Sequence, residues 1–99
     1  MTGIERVLGV LTSGDTDRLP ALPIIHSGFA PFFDAPLRKY FTDPDTMAAV
    51  TLQGQARFGF DGVQLSTGVT SEAEALGARV EQPENGMPLL KEHLLSDWG

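Results

Sequence analysis

Ile4, Val7, Leu8 and Leu11 fall at i, i+3, i+4 and i+7, which is one face of a helix, and Thr2 with Glu5 three residues on supplies a capping box ahead of it. Gly14 marks its stop. After the polar turn Asp15-Thr16-Asp17-Arg18, the run Leu19 to His26 contains Pro20 and Pro23, which exclude a helix interior, so its apolar residues predict a short buried strand over 22–26. Ser27 to Phe33 reads as an aromatic loop or broken helix, and Pro36 to Phe41 as one helical turn. Asp43-Pro44 predicts a helix start: the carboxylate accepts first-turn N–H groups, and the proline stands where its missing donor costs nothing. Met47, Val50, Gly54 and Phe58 mark the inner face of that helix, and Gly59 ends it. Phe60 to Ser66 predicts a second strand, and Thr67-Gly68 a tight turn. Ser71 and Glu74 make another capping box, on a short helix closed by Gly77. Ala78 to Gln82 reads as extended and Pro83-Glu84-Asn85-Gly86 as a turn. Met87 to Leu95 fits a returning strand or a helix, and Pro88 with the preceding turn favours the hairpin.

Two apolar strands separated by a long helical crossover define an α/β chain with parallel strands, here one domain over residues 1–99. In such folds ligands gather where strands end and loops begin. That places His26, Ser27 and Gly28 after the first strand and Ser66, Thr67 and Gly68 after the second as the candidate substrate-binding residues. Each group has a plainer alternative, a loop-bonded histidine for the first and hydroxyl capping of a turn for the second. If the strands are parallel neighbours, His26 and Thr67 meet at one sheet edge within roughly 5 to 10 Å.

Composition narrows the partners. A formal charge of -6 leaves no basic stripe, so the attraction that drives nucleic-acid and anionic-membrane binding is missing. Zero cysteines exclude disulfides and thiolate metal ligands within the chain. No apolar stretch approaches the roughly 20 residues of a membrane span, and the opening Met1 to Arg6 lacks a secretory pattern. A soluble, cytoplasmic protein is expected. Phe29, Phe32, Phe33, Tyr40 and Phe41 could wall a pocket for a flat ligand or simply fill the core. His93 reads as exposed, and Glu72 and Glu74, two apart on a helix, do not face each other as an acid and base pair would. Phosphate-loop, HExxH, GxSxG and CxxC motifs are absent.

Four segments in order resemble the opening of the uroporphyrinogen decarboxylase superfamily, which includes the methylcobamide:coenzyme M methyltransferases. They are Glu5-Arg6-Val7-Leu8 with Asp17-Arg18-Leu19-Pro20, then Asp43 to Ala48, then Phe58-Gly59-Phe60-Asp61-Gly62-Val63, and finally Glu72 to Val80. The resemblance implies the N-terminal part of a (β/α)8 TIM barrel, since 99 residues fall well short of the roughly 250 of a whole one. Departures from the family motifs point to a branch. Decarboxylases carry an arginine-bearing RQAGRY motif at the exit of the first strand and an aspartate in FSD after the second; here those stretches are Ile24 to Phe29 and Leu65-Ser66-Thr67. The resemblance therefore implies the methyltransferase branch, in which a corrinoid protein donates a methyl group to a thiol activated by zinc bound to histidine and cysteines. Zinc, corrinoid and small-molecule substrate belong to the full-length family context. No cofactor site and no catalytic residue are expected in this chain, which alone is expected to be inactive. The alternatives are a divergent decarboxylase-type lyase and a freestanding, non-catalytic module that self-associates through its unclosed sheet.

Overall fold

The computed structural model describes residues 1–66, 68–93 and 95. Four α-helices, a long 3-10 helix and one hairpin follow in the order α1 (Gly3–Thr12), the 3-10 helix (His26–Phe33), α2 (Leu37–Thr42), α3 (Pro44–Phe58), α4 (Ser71–Ala75), β1 (Arg79–Glu81) and β2 (Leu89–Glu92).

Local chemistry explains most of the boundaries. The Thr2 hydroxyl accepts from the Glu5 N–H at 3.2 Å while the Thr2 N–H donates to the Glu5 carboxylate at 2.6 Å, closing the expected capping box on α1. The Thr2 N–H, aided by the Thr2 hydroxyl, also holds the Glu5 carboxyl below its ordinary value. Asp43 caps α3 by accepting from the Asp45 N–H at 3.3 Å and the Thr46 hydroxyl at 2.6 Å, with Pro44 at the first helical position. Gly59 ends α3 in the left-handed region at φ 71°, which a side chain would disfavour. The second expected capping box does not form. Thr70 occupies the cap position of α4 without a side-chain bond, and the Ser71 hydroxyl turns instead to the Gly68 carbonyl and the Glu72 carboxylate.

The core lies where the 3-10 helix, α2 and α3 meet. Phe29, Ala30, Tyr40, Met47 and Val50 are buried there, with Ile25, Phe33, Leu37 and Phe60 packed around them. The Phe29, Phe58 and Phe60 rings stack at centroid separations of 5.8 to 6.2 Å, and Phe32 meets Phe58 edge-on at 5.8 Å. Of the aromatic run, Phe29 and Tyr40 are core and Phe33 and Phe41 pack against it, while Phe32 stays 69 % exposed. Gly54 is what lets α3 close onto Phe29, because a Cβ there would fall 2.6 Å from the ring.

The expected hairpin is present: β1 and β2 pair antiparallel, with Val80 opposite Leu90 and Glu81 opposite Leu89. The Gln82 amide closes the turn by donating to the Pro83 and Gly86 carbonyls. Arg38 fastens the turn to α2 through bonds to the Gln82 and Glu84 carbonyls at 2.9 and 2.8 Å.

The two predicted parallel strands are a correction. Among the described residues the one ladder is the antiparallel hairpin, and neither 22–26 nor 60–66 is a strand. The segments do begin side by side: the Asp61 N–H donates to the Ala21 carbonyl at 3.0 Å, and a Cβ on Gly62 would lie 2.5 Å from Leu22 Cδ2. A ladder fails to propagate for identifiable reasons. Pro20 and Pro23 have no N–H, the Ala21 N–H is taken by the Asp61 carboxylate, and His26 already opens the 3-10 helix. The molecule is a slab of 54 × 36 × 16 Å with a radius of gyration of 17.3 Å, against about 13 Å for a compact chain of this length. Accordingly Ile4, Leu8 and Leu11 on α1, and Leu22, Ile24 and Leu65 along the two segments, stay more than half exposed.

Replacing Gly54 by alanine should lower unfolding stability by about 1–3 kcal/mol through overpacking against Phe29. Urea unfolding checks this, and an unchanged midpoint would mean that the ring yields without cost.

Candidate functional site

Two features sit at opposite ends of the paired segments. At their beginning is an ion cluster. The Asp61 carboxylate accepts from Arg6 Nη1 at 2.8 Å, from Arg18 Nη1 and Nη2 at 2.6 and 3.1 Å, and from the Ala21 N–H at 2.7 Å. Arg6 also grips Asp17 with two bonds, at 2.8 and 3.1 Å. The Asp61 side chain is 2 % exposed, whereas those of Asp17 and Arg18 are both 48 % exposed. Arg18 and the Ala21 N–H hold the Asp61 carboxyl far below the usual carboxylate range, and Arg6 lowers that of Asp17. Two arginines and two aspartates balance, and each arginine is bonded to a carboxylate of the cluster. The cluster is a clamp that joins α1 to the lead-ins of both segments.

At their far end lies His26. The 3-10 helix starts on it at φ 50°, a left-handed conformation that a non-glycine residue holds only under constraint. Its Nε2 is buried and meets no hydrogen-bond partner among the described residues. His26 lines a cavity of about 10 Å³, the room of a single water molecule, walled by Ile25, Phe29, Phe60 and Val63 and carrying two further polar side chains, Thr51 and Gln64. A substrate does not fit within it.

The other candidate residues divide. The Ser27 hydroxyl lies 3.8 Å from the Met87 sulfur, and the Gly28 N–H closes a turn onto the Ile25 carbonyl at 3.0 Å. The Ser66 hydroxyl accepts from the Gly68 N–H at 3.2 Å, which is the turn-capping role. Gly68, at φ 93°, packs between Phe41 and Pro88. Thr67, and with it the expected approach to His26, lies outside the described residues. The two loops nevertheless approach one strip of chain, since Met87 touches Ser27 and Pro88 touches Gly68. His93 is exposed just past β2, as expected.

Thr51 and Gln64 were not among the sequence candidates. Thr51 was legible, because it stands four residues after Met47 on the helix face that Met47, Val50 and Gly54 define. Gln64 carried no signal beyond its place in an apolar run. Tyr40, one of the aromatic residues expected in the core or a pocket wall, is fully buried, and desolvation pushes its phenol upward, offset in part by the neighbouring Thr51 hydroxyl. That neighbour stops short of hydrogen-bond geometry, so the phenol oxygen has no partner among the described residues.

The uroporphyrinogen decarboxylase (URO-D) family model matches residues 2–98. The chain belongs to that family, and the fold the family implies is the TIM barrel. No curated protein and no solved structure matches the chain. The family segments acquire a physical meaning here, because Arg6, Asp17, Arg18 and Asp61, drawn from two of the four resembling stretches, are the members of the clamp. No helix is long and apolar enough to cross a membrane among the described residues.

Because its folded-state value is depressed, Asp61 contributes stability that is fully present above the ordinary carboxylate value near pH 4 and is lost as pH falls through the lower folded value. Asp61→Asn should therefore lower the urea midpoint at neutral pH more than Asp17→Asn does, and its deficit against wild type should shrink as pH is taken down to about 2. Equal midpoints for the two variants at neutral pH would show that the buried carboxylate is not the centre of the clamp.

Proposed function

We propose that the chain forms the opening part of a URO-D-family barrel of the methyl-transferring kind, in which a corrinoid protein supplies a methyl group to a thiol. The observation that carries this reading is where the arginines stand. Arg6 and Arg18 are spent on the Asp61 clamp at the lead-in end, and Arg38 holds the hairpin turn. At the far end, His26-Ser27-Gly28-Phe29 and Leu65-Ser66-Thr67 offer neither guanidinium for substrate carboxylates nor a carboxylate for pyrrole nitrogens. A polycarboxylated tetrapyrrole would lose the charge-assisted bonds its recognition needs. A methyl transfer between bound partners makes no such demand on these loops.

Within this scheme His26, Ser27, Gly28, Ser66, Thr67 and Gly68 contribute loop surface at the ligand-facing end, where Met87 meets Ser27 and Pro88 lies beside Gly68. Zinc, which would supply thiol activation in that branch, is not matched by this chain's own residues. Cysteine is absent, and no group of three His, Cys, Asp or Glu side chains converges among the described residues. No step is therefore assigned to a metal here. A second reading, a non-catalytic module that associates with itself, draws support from the exposed apolar residues of α1 and of the two segments.

Three measurements on the purified chain follow. Absorbance-monitored titration with uroporphyrin should give no saturable binding, and tight one-to-one binding would return the chain to the decarboxylase branch. Incubation with methylcobalamin, a thiol and zinc should leave methylcobalamin intact, and stoichiometric tight zinc with turnover would refute the assignment of thiol activation to residues outside this chain. Light scattering at high micromolar concentration should report a mass above the 10.6 kDa of one chain, and a stable well-folded monomer would remove the self-association reading.

A further inference from the structure

We propose that one ordered water seated between His26 Nε2, the Thr51 hydroxyl and the Gln64 side-chain amide holds the His26 imidazole in a single tautomer and orientation, making Thr51 and Gln64 positioning residues for the loop His26-Ser27-Gly28. The inference goes beyond the assignment of chemistry above, and it stands whichever branch of the family the chain serves.

Three observations converge on it. First, His26 Nε2 is buried without a partner among the described residues, and a buried ring nitrogen without one is strongly disfavoured. Second, the cavity that His26 lines is about 10 Å³, the room of one water. Third, that cavity carries the two to four polar partners a buried water requires, since Thr51, itself only 4 % exposed, and Gln64 join His26 in its otherwise apolar lining. A water can donate to one of these groups while accepting from another, so it can meet Nε2 bare or protonated, and the Gln64 amide, whose nitrogen only donates and whose oxygen only accepts, sets which of the two completes the chain. The three residues come from three places in the chain: the start of the 3-10 helix, the middle of α3, and the segment after α3. One water would thus tie the exits of both segments to the helix between them. It would also help to hold His26 at φ 50°, a conformation that persists only where surrounding contacts over-determine it.

The chain has two histidines, and the exposed His93 is an internal control. Nitrogen-15 spectra of the imidazoles at about pH 8, where an ordinary histidine is neutral, should show two well-separated ring-nitrogen shifts for His26 and averaged ones for His93. Water-to-protein cross-relaxation should reach the His26 ring protons. In Thr51→Val the His26 shifts should move towards the averaged pattern and the water signal should vanish, while Thr51→Ser should restore both. Averaged His26 nitrogens in the wild type, or unchanged shifts and water signal in folded Thr51→Val, would overturn the proposal. Should Thr51→Val fail to fold, Gln64→Leu, at an exposed residue, reads the same signals. Its expected result is a weakened water signal, and an unchanged spectrum overturns the proposal as well.

Discussion

One carboxylate organises the beginning of this structure. Asp61 takes four hydrogen bonds from two arginines and a backbone N–H, and its own N–H goes to the Ala21 carbonyl. An ion of this kind is worth burying only when its lone pairs are all met, because the loss of hydration must be offset by geometry and not by charge alone. Here both conditions hold: the side chain is almost wholly covered, and its partners approach from α1 and from the first segment. Without it, α1 would have little to hold it, since none of its residues is buried.

The second constraint is the aromatic seam on which α3 closes. Gly54 admits the Phe29 ring, and Phe58 and Phe60, on either side of the Gly59 stop, complete the stack. The seam and the clamp together fix where the chain after α3 must run. Asp61 pins its start beside Ala21, and the cavity residues His26, Thr51 and Gln64 show that it still faces α3 and the 3-10 helix three residues later. What the family match describes as a barrel opening is, in this chain, two adjoining segments tied at one end by ions and at the other by packing.

Helices α1 and α3 were legible because their caps are set by chemistry within a few residues of themselves. Thr2 with Glu5, Asp43 with Pro44, and Gly59 each act on their own turn. The hairpin was legible for the same reason, through Pro83 to Gly86. Strand pairing was not, because a ladder depends on what lies alongside: an apolar run at 22–26 looks like a strand until Pro20, Pro23 and the diverted Ala21 N–H are counted against its partner. The clamp hid in the same way. Arg6, Asp17, Arg18 and Asp61 read singly as surface charges, and only their spatial convergence, across 55 positions from Arg6 to Asp61, distinguishes them. Of the candidate site, His26 was singled out as the end of an expected strand, where the structure instead begins the 3-10 helix, and Gln64 needed the cavity to give it meaning.

The slab is only 16 Å thick, so its mid-plane lies about 8 Å from either broad face, close to one Debye length at physiological ionic strength. No charge in the molecule is therefore remote from mobile ions. Dissolved salt reaches the edge of the clamp through Asp17 and Arg18 while Asp61 stays shielded between its partners. Added electrolyte thus acts unequally on a single network, loosening the outer Arg6 to Asp17 grip before the inner bonds to Asp61, and the clamp weakens from its rim inward.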